Sequence, residues 1–383
     1  MSEWKSLGEV CDFSKDKVAI SVLDLGNYIS TENLLPNKGG VTEAASLPKI
    51  VTTTSFNVGD ILISNIRPYF KKIWRAKFSG GCSNDVLVIR AKKNVEPRFL
   101  YYVLSEDKFF DLVTVTAKGT KMPRGDKQVI MNYPVPNFPL ETQKKISAVL
   151  SALDDKIELN NAINKNLEEQ AQAIFKSWFI DFEPFGGTMP DDWLIEEFQS
   201  LLTERREKSN NPKLKLFSVT DSGILPREEK FKKKLSKPTT INKVIYQGDL
   251  VFGMSRKILN WGVMRECIGA VSSAYNIFLV SEKVNSKYLE SFIKQNIIYF
   301  HDLIRPASRE GQGLDKGILM RKKIYLPDDV TLKRYYEVED SLTTTVNVIR
   351  QENQKLGELR DVLLPRLMSG EIDVSKVEIF NEQ

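Results

Sequence analysis

Residues 59–67 read GDILISNIR and residues 248–256 read GDLVFGMSR, one phrase repeated at a displacement of 189 positions in a chain of 383 residues. Carrying the shift outward places Ser83 on Ser272, Phe99-Leu100 on Tyr288-Leu289, Val103-Leu104 on Phe292-Ile293 and Trp4 on Trp193, with no gap needed. The apolar run after Gly-Asp predicts a buried strand, and the aromatic-Leu-x-x-apolar-apolar pattern predicts the inward stripe of a helix. A period this long points to duplication of a whole domain, because solenoid repeats are far shorter. The chain reads as two copies of one mixed α/β unit whose remaining positions have diverged.

Composition sets the class. The hydrophobic fraction of 42% suffices for real cores, and the length suits two to three domains. The apolar stretches are short and broken by charge, and MSEWKSLGEV lacks the apolar core of a signal peptide, so a cytoplasmic protein without a membrane partner is expected. Three scattered cysteines, Cys11, Cys82 and Cys267, argue against a disulfide framework and a zinc site and read as packed thiols. The net charge of +5 is a weak hint of an anionic partner, but its distribution says more. Lys71-Lys72, Arg75 and Lys77 in the first copy face Lys230, Lys232-Lys233-Lys234 and Lys237 in the second. Lys118, Lys121, Arg124 and Lys127 have a counterpart in Arg305, Arg309, Lys316 and Arg321-Lys322-Lys323. Paired clusters of this kind suit phosphate contacts, since neutralising DNA needs several cations on one surface.

Each copy is followed by a segment with few glycines and apolar residues at alternating steps of four and three. In the first, Ile146, Leu150, Leu153, Ile157, Asn160, Asn164, Leu167, Ala171, Ile174 and Trp178 form the seam; in the second, Tyr335, Val338, Leu342, Thr345, Ile349, Glu352, Leu356, Leu359 and Leu363 do. Heptad seams of this length predict coiled-coil helices. Pro139 and Glu141 suit the start of the first, and Pro184 with Gly186-Gly187 its end; Asp328 or Asp329 caps the second, which Ser369-Gly370 closes. Asn160, Asn164 and Glu352 within the seam are expected to fix register. If the second helix packs on the first it must run back, giving an antiparallel pair. A span of about 33 residues would hold the two copies on the order of 50 Å apart about a pseudo-two-fold axis. Such a frame suits two DNA half-sites of differing sequence.

FPLETQKKISAVLSALDDKIELN at 138–160, IFKSWFIDFEPF at 174–185 and LLPRLMSGEI at 363–372 resemble the central and C-terminal repeats of the specificity subunits of Type I restriction-modification enzymes. GDILIS, Gly119-Thr120 and the Pro-Val-Pro before the long helix are similar to that family's target recognition domains. The resemblance implies an α+β architecture: target recognition domain 1 over 1–138, a central helical repeat over 139–185, target recognition domain 2 over 186–327, a C-terminal helical repeat over 328–370 and a tail over 371–383. It implies a chain that reads a bipartite site in double-stranded DNA without catalysing anything. Two modification (methyltransferase) subunits using S-adenosylmethionine and restriction subunits using ATP and magnesium are the implied partners. In the second copy Arg309-Glu310-Gly311-Gln312-Gly313 replaces the Gly-Thr sequence.

The residues agree with a reader that holds no cofactor or metal of its own. An amino-methyltransferase tetrapeptide and a glycine-rich cofactor loop are both missing, and the lone histidine, His301, leaves no His-based triad. The segment from Gly119 to Lys127 has the wrong spacing for a phosphate loop. Pro190-Asp191 with Glu228-Glu229-Lys230 could be forced into a metal-nuclease scheme, but the first copy has no equivalent acidic set. A coiled-coil scaffold, and a specificity chain serving a fused nuclease-methyltransferase, are the remaining alternatives. Base reading needs Arg, Lys, Asn or Gln at groove edges, and the loops after the Gly-Asp strands and around the glycine segments are the natural carriers. The candidates for DNA contact are Asn65, Arg67, Tyr69, Lys71, Lys118, Thr120, Lys121 and Arg124 in the first copy, and Arg256, Lys257, Asn260, Arg309 and Gln312 in the second. Unlike residues at matched positions, such as Tyr69 and Ile258, suit differing sequence preference. The aromatic stripe Phe175, Trp178, Phe179 and Phe182 is expected to pack in the core between helix and recognition domain, and the alternative is that Phe175, Trp178 and Phe179 bind a partner.

Overall fold

In the computed structural model, described over residues 4–211, 213–221, 223–227, 242–255, 258–304 and 314–378, the chain is built as two compact units. The first comprises residues 1–163 and 348–383, and the second residues 164–347. Two helices of 40 residues each, Leu140–Phe179 and Asp329–Met368, contribute to both.

The first unit carries a four-stranded sheet in the order Cys11–Phe13, Val86–Ala91, Ile61–Ser64, Ile73–Arg75, antiparallel throughout. In the second unit the order is Leu202–Arg205, Asn276–Val280, Leu250–Phe252, Trp261–Val263, which is the same topology. A shorter antiparallel pair recurs too: Trp4–Ser6 with Pro134–Pro136, and Leu194–Glu197 with Lys323–Leu326. The duplication inferred from the repeated phrase is therefore a duplication of strand order. The phrase itself is one turn built twice. Gly59 and Gly248 take φ of +91° and +86°, a region open to glycine, and the following carboxylates accept from the backbone three residues earlier, Asn57 N to Asp60 and Tyr246 N to Asp249, at 2.8 and 2.9 Å. Ile61–Ser64 and Leu250–Phe252 are buried along their whole length, as an unbroken apolar run requires.

The predicted helical stripes are present. Pro97–Ser105, capped by Glu96, buries Phe99, Leu100, Val103 and Leu104; Ser286–Gln295, capped by Asn285, buries Tyr288, Leu289, Phe292 and Ile293. The stripes pack toward the sheets and toward the long helices, Ile146, Leu150, Leu364 and Leu367 in one core and Phe175, Phe179 and Tyr335 in the other.

The long helices pair antiparallel within each unit: Arg360 Nη1 meets Asp154 at 2.8 Å and Asn160 Nδ2 meets Glu352 at 2.7 Å in the first, while the Phe175 and Tyr335 rings lie 5.8 Å apart in the second. Both helices exceed the expected 33 residues because each continues a turn or more beyond its heptad seam. The first seam is as read. The second is displaced after its shared start at Tyr335: Val346, Asn353 and Arg360 turn inward, whereas Val338, Thr345 and Leu359 face out. Apolar Val338 and Leu359 lie one position from the true stripe, which sequence spacing alone does not exclude. Asn160 is 1% exposed and also donates to Asn353 Oδ1 at 2.9 Å, so it fixes register against Asn353 as well as Glu352. Asn164 is buried with its Oδ1 unpartnered.

Cys11 and Cys82 are buried, and burial pushes both thiols up to about 12; Cys267 is exposed, which corrects the expectation of a packed thiol there. His301 is exposed in a short 3-10 segment, Ile297–Leu303. Among the described residues no helix is long and apolar enough to cross a membrane.

Candidate nucleic-acid interface

In the first unit, the loop after Ile61–Ser64 and the glycine segment after the helix Asp107–Val115 come together by backbone pairing. Arg67 N donates to the Pro123 carbonyl at 2.8 Å and Gly125 N to the Asn65 carbonyl at 3.1 Å; Lys118 and Arg124 exchange both backbone bonds at 2.9 Å. Arg67, Tyr69, Lys71, Lys118, Thr120, Lys121 and Arg124, chosen from separate stretches of sequence, thus share one loop cluster, and all but Lys71 are exposed. Three of the cations are countered. Lys71 pairs with Asp107 at 2.8 Å, Lys118 with Asp126 at 2.6 Å and Arg124 with Asp85 at 3.0 Å. The Lys71 hydrogen bond, aided by Lys38, holds Asp107 below the usual carboxylate range; the Lys118 bond and the Gln128 backbone do the same for Asp126. Such surface pairs are weak and open to exchange with a phosphate.

Asn65 is turned inward, unlike the exposed candidates. It is 9% exposed, and its Oδ1 points inward without a partner near the α-carbon of Gly125, where an added Cβ would come within 3.0 Å. Its backbone ties the two loops, a structural task the residue type did not disclose. Lys77 forms a similar exposed pair with Glu158, whereas Lys322 is buried with Asp302 at 2.7 Å and serves the fold.

Sequence reasoning passed over the turn Pro36–Gly40, which packs beside this loop. Asn37 N donates to the Phe70 carbonyl at 2.8 Å and Lys38 N to the Lys71 carbonyl at 2.9 Å, and Lys38 pairs with the same Asp107. The Asn-Lys-Gly-Gly composition signals a turn, but its neighbour is set only by the fold. Lys72 donates to the Thr31 carbonyl, and burial lowers its pKa.

In the second unit Asn260 closes the corresponding loop: its Nδ2 donates to the Met254 carbonyl at 2.6 Å and its backbone N to Ser255 Oγ at 2.8 Å. Arg256, Lys257, Arg309 and Gln312 lie outside the described residues, as do Glu228, Glu229, Lys230, Lys232, Lys233, Lys234, Lys237 and Arg305. The aromatic stripe packs into the core of the second unit. Phe175 and Phe179 have no exposed surface and pack against Tyr288 and Tyr335, so neither can meet a partner in this conformation; Trp178 is half-buried beside them.

Residues 1–169 match a protein-family model described as the Type I restriction modification DNA specificity domain. The HindI specificity subunit of Haemophilus influenzae is 32% identical over 48% of this chain, an alignment that spans 42% of that subunit's length. The MjaIX specificity subunit of Methanocaldococcus jannaschii is 24% identical over 94% of this chain and 87% of its own. A crystal structure of the Type I restriction-modification S subunit from M. genitalium superposes with a TM-score of 0.53 at 12% identity, covering 96% of each chain, and shares the fold. Residues 1–169 thus carry the Type I restriction modification DNA specificity domain, and over most of its length the chain is similar to Type I specificity subunits.

Proposed function

We propose that this protein is a Type I specificity subunit that reads a bipartite site in duplex DNA, one half with each β-rich domain, and directs modification subunits to it without catalysing a reaction itself. The reading domains span 1–138 and 186–327; the helical segments 139–185 and 328–370 set the unread gap and, on their outer faces, dock two methyltransferase subunits, and 371–383 form a tail. S-adenosylmethionine belongs to those subunits, and ATP and magnesium to restriction subunits. The observation that carries this reading is the recurrence of one strand order, with the same Gly-Asp turn, in two units joined by two long helices. Two similar readers on a common strut suit a two-part target.

In the first domain Arg67 and Lys121, exposed and without a side-chain partner among the described residues, are the readiest cations for base edges or phosphates. Tyr69, Lys71, Lys118, Thr120 and Arg124 surround them. In the second, Arg256, Lys257, Arg309 and Gln312 carry the equivalent contacts, with Asn260 supporting their loop. Trp178, half-buried at the end of the first long helix, is the remaining aromatic candidate for the partner surface.

Incubating the full chain and its modification subunits with S-adenosylmethionine and random duplexes, then sequencing the methylated products, tests this. A two-part motif with a fixed gap is expected. A methylated pool with no such motif, or no salt-sensitive duplex binding at all, sinks the reading in favour of a scaffold.

A further inference from the structure

Tyr69 and Ile258 occupy the same place in the two copies, displaced by the common 189 positions, and both are exposed, at 46% and 59%. Each is an exposed apolar body that follows a Gly-Asp strand, Tyr69 beside Arg67 and Ile258 next in sequence to Arg256 and Lys257. Neither side chain carries a charge, isoleucine has no group to hydrogen-bond a phosphate or a base edge, and the tyrosine hydroxyl is the one polar group the pair offers.

The tip in the first unit is rigid. Arg67 and Lys71, both at φ +51°, bracket the 3-10 turn Pro68–Phe70, and Asn37 and Lys38 beside it stand at φ +55° and +61°. Four non-glycine residues in the left-handed region within two abutting turns are strained, a condition that persists where the surroundings enforce it. Here the enforcement is visible: buried Pro68 anchors the turn, the Asn37 and Lys38 amides hold the Phe70 and Lys71 carbonyls, and Asp107 binds both Lys38 and Lys71. Phe70 lies against Tyr69 at 4.7 Å between ring centroids, with the Lys72 ammonium 6.0 Å from the Phe70 ring. In the second unit, buried Leu259 takes the anchoring role and Asn260, bonded to Met254 and Ser255, closes the loop below Ile258.

A stiff apolar tip, set among cations in the first unit, fits the space between two base pairs. We propose that Tyr69 and Ile258 are wedges that each enter a base step of their own half-site, unstack it and bend the duplex, so that the deformability of that step contributes to sequence choice. This rests on the DNA-reading proposal and adds its mode.

The test uses the full chain. Duplexes selected from a random pool give the consensus, and 2-aminopurine is then placed at successive positions of each half. Binding is expected to raise its emission at one step per half-site. Tyr69→Ala should remove the rise in one half only and Ile258→Ala in the other only, each weakening binding about tenfold with no change in the slope of affinity against salt, since no phosphate contact is lost. Tyr69→Phe should retain the rise, which separates insertion from a hydroxyl contact. Selection succeeding while emission stays flat, or persists in both alanine variants, overturns the wedge and leaves the DNA-reading proposal standing. A wild-type chain that enriches no duplex overturns both.

Discussion

Asp60 and Asp249 are nearly sealed from solvent, and each is engaged by an arginine through both its Nε and Nη2. The arginines come from different strands. Arg90 lies on Val86–Ala91, next to the Gly-Asp strand, and Arg205 on Leu202–Arg205, one strand further out. A buried carboxylate costs several kcal/mol unless paired, so both copies have kept the acid and solved its neutralisation separately. Arg205, with 22% of its side chain exposed, is more enclosed than Arg90 at 35%, which also reaches Asp16. Arg205→Leu is therefore expected to cost about 3 kcal/mol and Arg90→Leu less, because solvent enters to screen Asp60; urea unfolding followed by tryptophan fluorescence reads the order. The repeated Gly-Asp was visible in the sequence, whereas its arginine was not, since only strand pairing brings the two together. Asn65 illustrates the converse. Its residue type suits adenine, but its Oδ1 is turned inward beside Gly125 and its backbone carbonyl accepts from Gly125 N, which ties the two loops.

At the scale of elements, the helix ends were legible because caps depend on a few adjacent residues. Asp328 accepts from the Val330 and Thr331 backbones at 2.9 and 3.0 Å and from the Thr331 hydroxyl at 2.6 Å. These bonds, the Thr331 side chain first, lower its pKa from the usual 3.8. A depressed carboxylate stabilises the fold above its unfolded value and loses that contribution as pH falls through the folded one. Asp328→Ala should then cost about 1 kcal/mol near neutrality, with the gap to wild type closing as pH drops below 3.8, measured by thermal melts across pH. The phase of the second seam was less legible, because Leu342, Ile349, Leu356 and Leu363 fit either of two adjacent stripes and polar Asn353 and Arg360 decide between them. Asn160 enforces that choice. Asn160→Leu is expected to keep or raise the melting temperature while weakening the Asp154–Arg360 coupling in a double-mutant cycle, as registers mix; undiminished coupling would show that Asn160 does not set register.

The whole molecule applies one connection twice. Arg98 Nη1 bonds Ser151 Oγ at 3.2 Å in the first unit, and Lys287 pairs with Asp340 in the second, all four positions related by the same 189-residue shift. Tyr102 adds a bond to Asp154 at 2.7 Å, and Asp154 also holds Arg360, so the first domain is clasped to both long helices. The duplication was legible from phrasing repeated within the chain and the family resemblance from its helical segments, but the bases read were not, because the loops that differ between copies carry no residue-to-base code. A domain fastened to a helix turns with it, which makes the proposed gap-setting role sensitive to helical phase as well as length. Four residues inserted at facing points of both long helices add about 6 Å and a net rotation of about 40°. One base pair advances about 3.4 Å and turns about 34°, so length favours two added base pairs and rotation favours one. The preferred gap, read by sequencing methylated duplexes, should therefore grow by one or two. Two inserted residues turn a domain by about 200° for only about 3 Å, which points one reading surface away from the groove and should abolish site-specific methylation while leaving the chain folded. A gap that ignores the four-residue insertion would separate the helices from spacing altogether.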